Sequence, residues 1–209
     1  VPGSAELRVG GLARLSTCDW PGELAATVFC QGCPWACPYC HNPHLLPPRG
    51  DHELPWAEVV TFLKGRRGLL DGVVFSGGEA TLQAALPDAM ETVRRMGFKV
   101  GLHTAGPSPD RLAALLPRLD WVGFDVKAPF AEYHRITGIA GSGAKAQESL
   151  RLLRDSGVAF EARTTVHPAL LDGEAVARLR AELAGLGVTD LKIQPFRAEG
   201  CANPALSAA

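Results

Sequence analysis

Short runs of β-branched and aromatic residues recur from Ala25 onward, at Ala25–Phe29, Gly72–Phe75, Lys99–Leu102, Trp121–Phe124, Phe160–Thr164 and Leu191–Ile193. They alternate with stretches of helical periodicity, the pattern of successive parallel βα units. Ser108-Pro109 predicts an N-cap and first-turn proline for a helix through Leu115, stopped by Pro117. Asp172 predicts a cap for a helix to about Leu186, with Val176, Leu179, Leu183 and Leu186 on one core-facing stripe and Gly187 as its stop. After Gly78, Pro87 interrupts the stripe Leu82, Leu86, Met90 and Val93, which predicts a short first turn and a restart at that proline. The strands are spaced by about 33 residues, one strand-plus-crossover unit. A complete eight-unit barrel needs about 250 residues. The pattern therefore predicts an α/β fold, a partial (β/α)6 TIM-like barrel. Val9-Gly10-Gly11 and Pro21-Gly22 predict a short N-terminal β-hairpin ahead of it.

With 209 residues, 46% of them hydrophobic, the chain is expected to build one core and one domain, over residues 8–201. Residues 1–7 are expected to be disordered, the opening Val1-Pro2-Gly3-Ser4 being a remnant of processing or cloning, and 202–209 to be a flexible tail. A net charge of −1, from 21 basic and 22 acidic residues, gives no overall electrostatic case for nucleic acid or an anionic membrane. No apolar run reaches the roughly 20 residues of a membrane span. A soluble, cytoplasmic protein is the expectation.

Four of the six cysteines, Cys30, Cys33, Cys37 and Cys40, fall close together, with Cys18 and Cys201 far away. Such clustering suits a metal better than a disulfide framework. Cys33-Pro-Trp-Ala-Cys37-Pro-Tyr-Cys40 follows the first barrel strand, at the C-terminal mouth where such folds place chemistry. Pro34 and Pro38 disfavour a helix and favour a loop that brings thiolates to one centre. Three thiolates on a four-iron cubane leave one iron open to a ligand. Spacing alone also admits a four-cysteine zinc site, although zinc knuckles are usually further apart, and a ferredoxin-like run, although its intervals differ. At the strand end, Cys30 reads as a small buried side chain rather than a fourth ligand.

The C-x3-C-x2-C spacing, with aromatic Tyr39 before the last cysteine, resembles the defining motif of radical S-adenosylmethionine enzymes. His41-Asn42-Pro43, Phe29-Cys30-Gln31-Gly32-Cys33 and Ser76-Gly77-Gly78-Glu79 resemble the subgroup that activates glycyl radical enzymes. Size and the cysteine-free stretch from Cys40 to Ser76 look most like the activating protein of anaerobic (class III) ribonucleoside-triphosphate reductase. The resemblance implies a [4Fe–4S] cluster on Cys33, Cys37 and Cys40. It also implies S-adenosylmethionine contacts from Tyr39, His41, Gly77, Gly78, Glu79, Thr104, Asp125, Lys127, Arg163 and Arg197.

Physical arguments stand beside several of these assignments. Two glycines let the backbone approach a ligand, and Glu79 can accept from an ammonium group. Alternation puts Asp125 and Lys127 on one side of their strand. Arg163 suits a carboxylate, with a buried structural role as the alternative. His103 stands where relatives of the pyruvate formate-lyase activator type carry an aspartate, which removes a hard ligand for a monovalent cation. His167 reads as structural. The activity implied is reductive cleavage of S-adenosylmethionine to a 5′-deoxyadenosyl radical, which takes a hydrogen from a glycine of a large partner enzyme. A low-potential donor such as flavodoxin would supply the electron. Two alternatives remain: a radical enzyme acting on a small molecule of the deazaguanine type, and a non-catalytic metal-binding or electron-carrier protein.

Overall fold

The computed structural model of the chain describes residues 7–207. One seven-stranded sheet runs in chain order: β1 (Val9–Ser16), β2 (Ala25–Cys30), β3 (Gly72–Gly77), β4 (Lys99–Thr104), β5 (Trp121–Asp125), β6 (Ala159–Val166) and β7 (Leu191–Pro195). Neighbours from β2 to β7 pair in parallel, while β1 pairs antiparallel with β2. The crossovers carry α1 (Trp56–Lys64), α2 (Leu86–Arg95), α3 (Pro109–Leu115), α4 (Tyr133–Thr137), α5 (Ser142–Asp155) and α6 (Gly173–Gly185), and a short α7 (Pro204–Ser207) follows β7. β1 and β7 are the two edges, so six parallel strands make an open, partial TIM-like barrel.

The helix ends follow their local chemistry, with one departure. Asp172 caps α6 by accepting from the Ala175 N–H at 2.8 Å, and Gly187 supplies the left-handed stop at φ 76°. Pro87 opens α2 after a separate 3₁₀ turn at Ala80–Leu82. Ser108 occupies the cap position of α3, but its side chain makes no capping hydrogen bond there. Pro109 alone provides the start.

Two other expectations are corrected. Among the described residues no separate hairpin precedes the barrel: β1 pairs with the first barrel strand itself, from Val9↔Cys30 to Ser16↔Ala25, and Pro21-Gly22 lies in their connection. At the chain ends, Leu7 is buried and 204–207 form α7, whose buried Leu206 accepts from His167 Nε2 through its carbonyl at 3.2 Å. The rest of the stretch expected to be disordered at the start, and residues 208–209, lie outside the described residues.

The sheet has a core on each side. On the outer face Val73, Phe75, Leu102 and Phe124 pack among Leu86, Met90, Leu112 and Leu150 of the helices. Burial on both faces explains why the strands read as continuous apolar runs. The inner face holds a smaller group of Trp20, Ala25, Val74 and Trp121. Trp20, from the β1–β2 connection, stacks on Trp121 with centroids 5.6 Å apart. Glycines make its room: a Cβ at Gly72 or Gly101 would lie 2.9 or 2.8 Å from the indole. Trp20 thus fills the barrel below the strand ends that carry the site.

Candidate functional site

A cavity of about 280 Å³ opens at the C-terminal ends of the strands. Every residue singled out from the sequence for cluster or cofactor lines it, except Arg197. Arg197 borders a neighbouring surface depression with His41 and Glu199.

The thiol loop is held by backbone bonds rather than by a helix. Gly32 and Cys33 donate N–H bonds to Leu45 and Leu46 carbonyls at 2.8 and 3.1 Å, Ala36 N–H reaches the Thr137 carbonyl at 3.3 Å, and Cys40 N–H turns back to Cys37 at 3.0 Å. Trp35 packs edge-on against Tyr133, centroids 6.0 Å apart. Cys33, Cys37 and Cys40 are partly exposed and line the cavity, whereas Cys30 is fully buried and does not. Burial pushes the Cys33 thiol up to about 12 and raises Cys37 as well, with the nearby Lys127 ammonium opposing. Thiols in such surroundings ionise readily only against a metal's positive charge. Among the described residues no three His, Cys, Asp or Glu donors could hold one metal ion. Three partly exposed thiols on one cavity are the donor chemistry a four-iron cubane takes, each thiolate on a separate iron.

Gly77-Gly78-Glu79 fastens the loop from below. Gly78 N–H donates to the Cys30 carbonyl at 2.9 Å and Glu79 N–H to the Gly32 carbonyl at 2.8 Å. Gly77 has φ 115°, and a Cβ there would run into the Cys30 backbone. The buried Glu79 carboxylate ties β3 to β4: Oε1 accepts from Thr81 N, Thr81 Oγ1 and Thr104 Oγ1 at 3.2, 2.7 and 2.7 Å, and Oε2 from Ala105 N at 3.1 Å. Burial raises its pKa against these bonds. A carboxylate has about four lone-pair sites, so Oε2 retains capacity for an ammonium donor.

Across the cavity Asp125 takes Arg163 Nε on Oδ1 at 2.8 Å and Lys127 Nζ on Oδ2 at 3.4 Å. Burial opposes ionisation of Asp125, yet these two cations hold its carboxyl well below the usual range. Lys127 Nζ also lies 5.8 Å from the ring centroid of the buried Tyr39, and Tyr133 Oη accepts from Lys127 N–H at 3.0 Å. His41 is fixed at the rim: its ring stacks on Phe196 at 5.6 Å, and Nε2 donates to the Arg197 carbonyl at 2.8 Å. His167 has a structural place, with Nδ1 accepting from Ala169 N–H and Nε2 donating to Leu206.

Asp19, Ser76, Thr165 and Gln194 also line the cavity, and sequence reasoning gave them no role. Thr165 was within reach of it, since alternation from Arg163 turns it to the same face. Asp19 had no signal, because it lies in an irregular connection that only the fold carries under the strand ends.

Fold and cavity together define an open α/β barrel that presents a loop of three thiols at the mouth of its parallel strands. The Radical SAM superfamily model matches residues 27–180, and the chain belongs to that superfamily. A Methanocaldococcus jannaschii protein provisionally named a glycyl-radical enzyme activating enzyme is 31% identical over 177 residues, covering 80% of this chain and 72% of its own. The pyruvate formate-lyase-activating enzyme of Clostridium pasteurianum is 30% identical over 182 residues, covering 84% and 75%. Among solved structures, QueE from Escherichia coli superposes with TM-score 0.60 at 17% identity, covering 97% of this chain and 90% of its own. A structure of anSMEcpe with bound AdoMet gives TM-score 0.65 at 17% identity over 80% of this chain, which spans about half (49%) of that one. These two similarities concern the fold.

Proposed function

We propose that the protein is an activating enzyme that holds a [4Fe–4S] cluster on Cys33, Cys37 and Cys40 and uses S-adenosylmethionine to install a glycyl radical on a large partner enzyme. One observation carries the proposal: a single cavity at an open barrel mouth brings the three loop thiols together with Glu79, Asp125, Lys127 and Arg163. When bound, the cluster supplies the electron that cleaves S-adenosylmethionine to methionine and the 5′-deoxyadenosyl radical, which takes a hydrogen from the partner's glycine.

The chain's own residues divide the binding. Glu79 Oε2 would accept from the amino group of the methionine moiety, and Arg163 and Lys127 would pair with its carboxylate. Gly77 and Gly78 would border that moiety, their missing Cβ atoms letting them pack on the Cys30 and Gly32 backbone beneath the thiol loop. Tyr39, His41 and Thr104 border the space left for the rest of the cofactor, and Arg197 meets it only from the neighbouring depression. Among the described residues the sheet does not close between β1 and β7, so a glycine-bearing loop would approach an open mouth, and glycine has no side chain to obstruct approach to its α-carbon. The partner proposed is anaerobic ribonucleoside-triphosphate reductase, and the electron donor a flavodoxin-type protein.

The test is to incubate the anaerobically reconstituted, reduced protein with S-adenosylmethionine and that reductase. A glycine-centred EPR doublet in the reductase is the expected result. A doublet only in another glycyl radical enzyme reassigns the partner, and cleavage of S-adenosylmethionine without a doublet in any candidate overturns the activating role.

A further inference from the structure

The cavity is also lined by His103 of β4, whose ring contacts the β1–β2 connection, β3 and β6. His103 Nε2 lies 2.7 Å from the Asp19 carbonyl oxygen and 3.2 Å from Arg163 Nη1, and Nδ1 lies 3.2 Å from Ser76 Oγ. A carbonyl oxygen only accepts, so the shorter contact requires the proton on Nε2. Nδ1 is then the acceptor, and the Ser76 hydroxyl donates to it. With its proton given to Asp19, Nε2 cannot also accept from Arg163. The 3.2 Å contact is a wall against the guanidinium, not a bond to it.

Arg163 is confined on its other sides. Nε is bound to Asp125 Oδ1 at 2.8 Å, and a Cβ at Gly123 would fall 2.8 Å from Cζ and from Nη1. The glycine leaves the space that the guanidinium fills, and the imidazole stops it from swinging away from Asp125. On this reading neither Nη1 nor Nη2 has a hydrogen-bond acceptor among the described residues, and Arg163 lines the cavity while only 7% exposed. A mostly buried guanidinium with a spare donor edge awaits an anionic oxygen.

We propose that His103 is a positioning residue, locked by the Asp19 carbonyl and the Ser76 hydroxyl, that holds Arg163 with its free edge toward a ligand carboxylate. The proposal rests on the cofactor assignment above, the carboxylate being that of the methionine moiety. It also makes the β1–β2 connection part of the binding site, because Asp19 sets the ring through its backbone. Asp19 is held by its N–H donating to Ser16 Oγ at 3.1 Å and its Oδ2 accepting from Thr27 Oγ1 at 2.6 Å, beside Trp20 stacked on Trp121.

The experiment compares binding of S-adenosylmethionine and its decarboxylated analogue to the reconstituted holoenzyme, in wild type, His103→Ala, His103→Gln and Ser76→Ala. Wild type is expected to prefer the carboxylate-bearing ligand by about tenfold or more, the scale of one charge-assisted contact. His103→Ala should lose most of that preference while binding the analogue as wild type does. His103→Gln, whose amide N–H can still reach Asp19, should recover part of it, and Ser76→Ala should lower it by about twofold. Wild type without any preference would show that no carboxylate is held here, which sinks the cofactor assignment. A preference that survives in His103→Ala, or equal weakening of both ligands, overturns the positioning role. If His103→Ala does not fold, an unchanged preference in Ser76→Ala overturns it.

Discussion

A thiol in this site acts according to which side of the strand end its sulfur occupies. Cys30 closes β2 inside the core, where burial pushes it up to about 12, while Cys33, Cys37 and Cys40 reach the cavity. Changing any one of the latter three to Ala is therefore expected to abolish the cluster, measured as bound iron and sulfide after anaerobic reconstitution. Cys30→Ala should retain it. His103 makes a second prediction at this scale. Burial, with Arg163 beside it, pushes its pKa down to about 4 against Asp125 and Asp19, the acidic groups facing it. The folded value lies below the unfolded one, so stability is whole above about pH 6.5 and is lost as the pH falls toward 4. Urea denaturation of the apoprotein should weaken over that window by up to about 3 kcal/mol, and His103→Asn should flatten the slope. Asp125, held low by Arg163 and Lys127, adds a loss only below the ordinary carboxylate range. The cysteines were legible in the sequence because a loop's spacing is local. Asp19 and the tautomer of His103 were not, because they depend on where a distant connection comes to rest.

At the scale of the elements, glycines decide what packs against the strands. Gly77 pairs with Cys30 across β2 and β3 at positive φ, so Gly77→Ala adds both backbone strain and a clash with the strand beneath the thiol loop. Chemical denaturation is expected to show a loss of at least about 2 kcal/mol. Trp20→Ala should cost about 3 to 5 kcal/mol by emptying the inner face beside Gly72 and Gly101. The six parallel strands could be read from their apolar runs, since burial on both faces leaves an unmistakable pattern. β1 escaped that rule. It is an edge strand of mixed exposure, VGGLARLS, whose pairing with β2 shows only when the connection folds inward. α7 was hidden for a related reason: its small residues lack periodicity, and Leu206 is fixed by tertiary contact with the β6 end.

For the whole molecule, the open barrel gathers the three loop thiols, Glu79, Asp125, Lys127 and Arg163 around one cavity at its mouth. No helix among the described residues is long and apolar enough to cross a membrane. The segment after β7 crosses to the thiol loop: Phe196 stacks on His41, the Arg197 carbonyl accepts from it, and Cys201 Sγ donates to the Pro38 carbonyl at 3.5 Å. The loop that carries the thiols is thereby braced from β3, α4 and the far end of the sheet. Such bracing would hold the proposed cluster, with its open iron, in a fixed place. The most direct measurement is the release of 5′-deoxyadenosine from S-adenosylmethionine by the anaerobically reconstituted protein with dithionite. Release that requires the reductant and disappears in Cys37→Ala is the expected result. An iron-loaded wild type that releases none, or a Cys37→Ala variant that releases it as fast, would contradict the account.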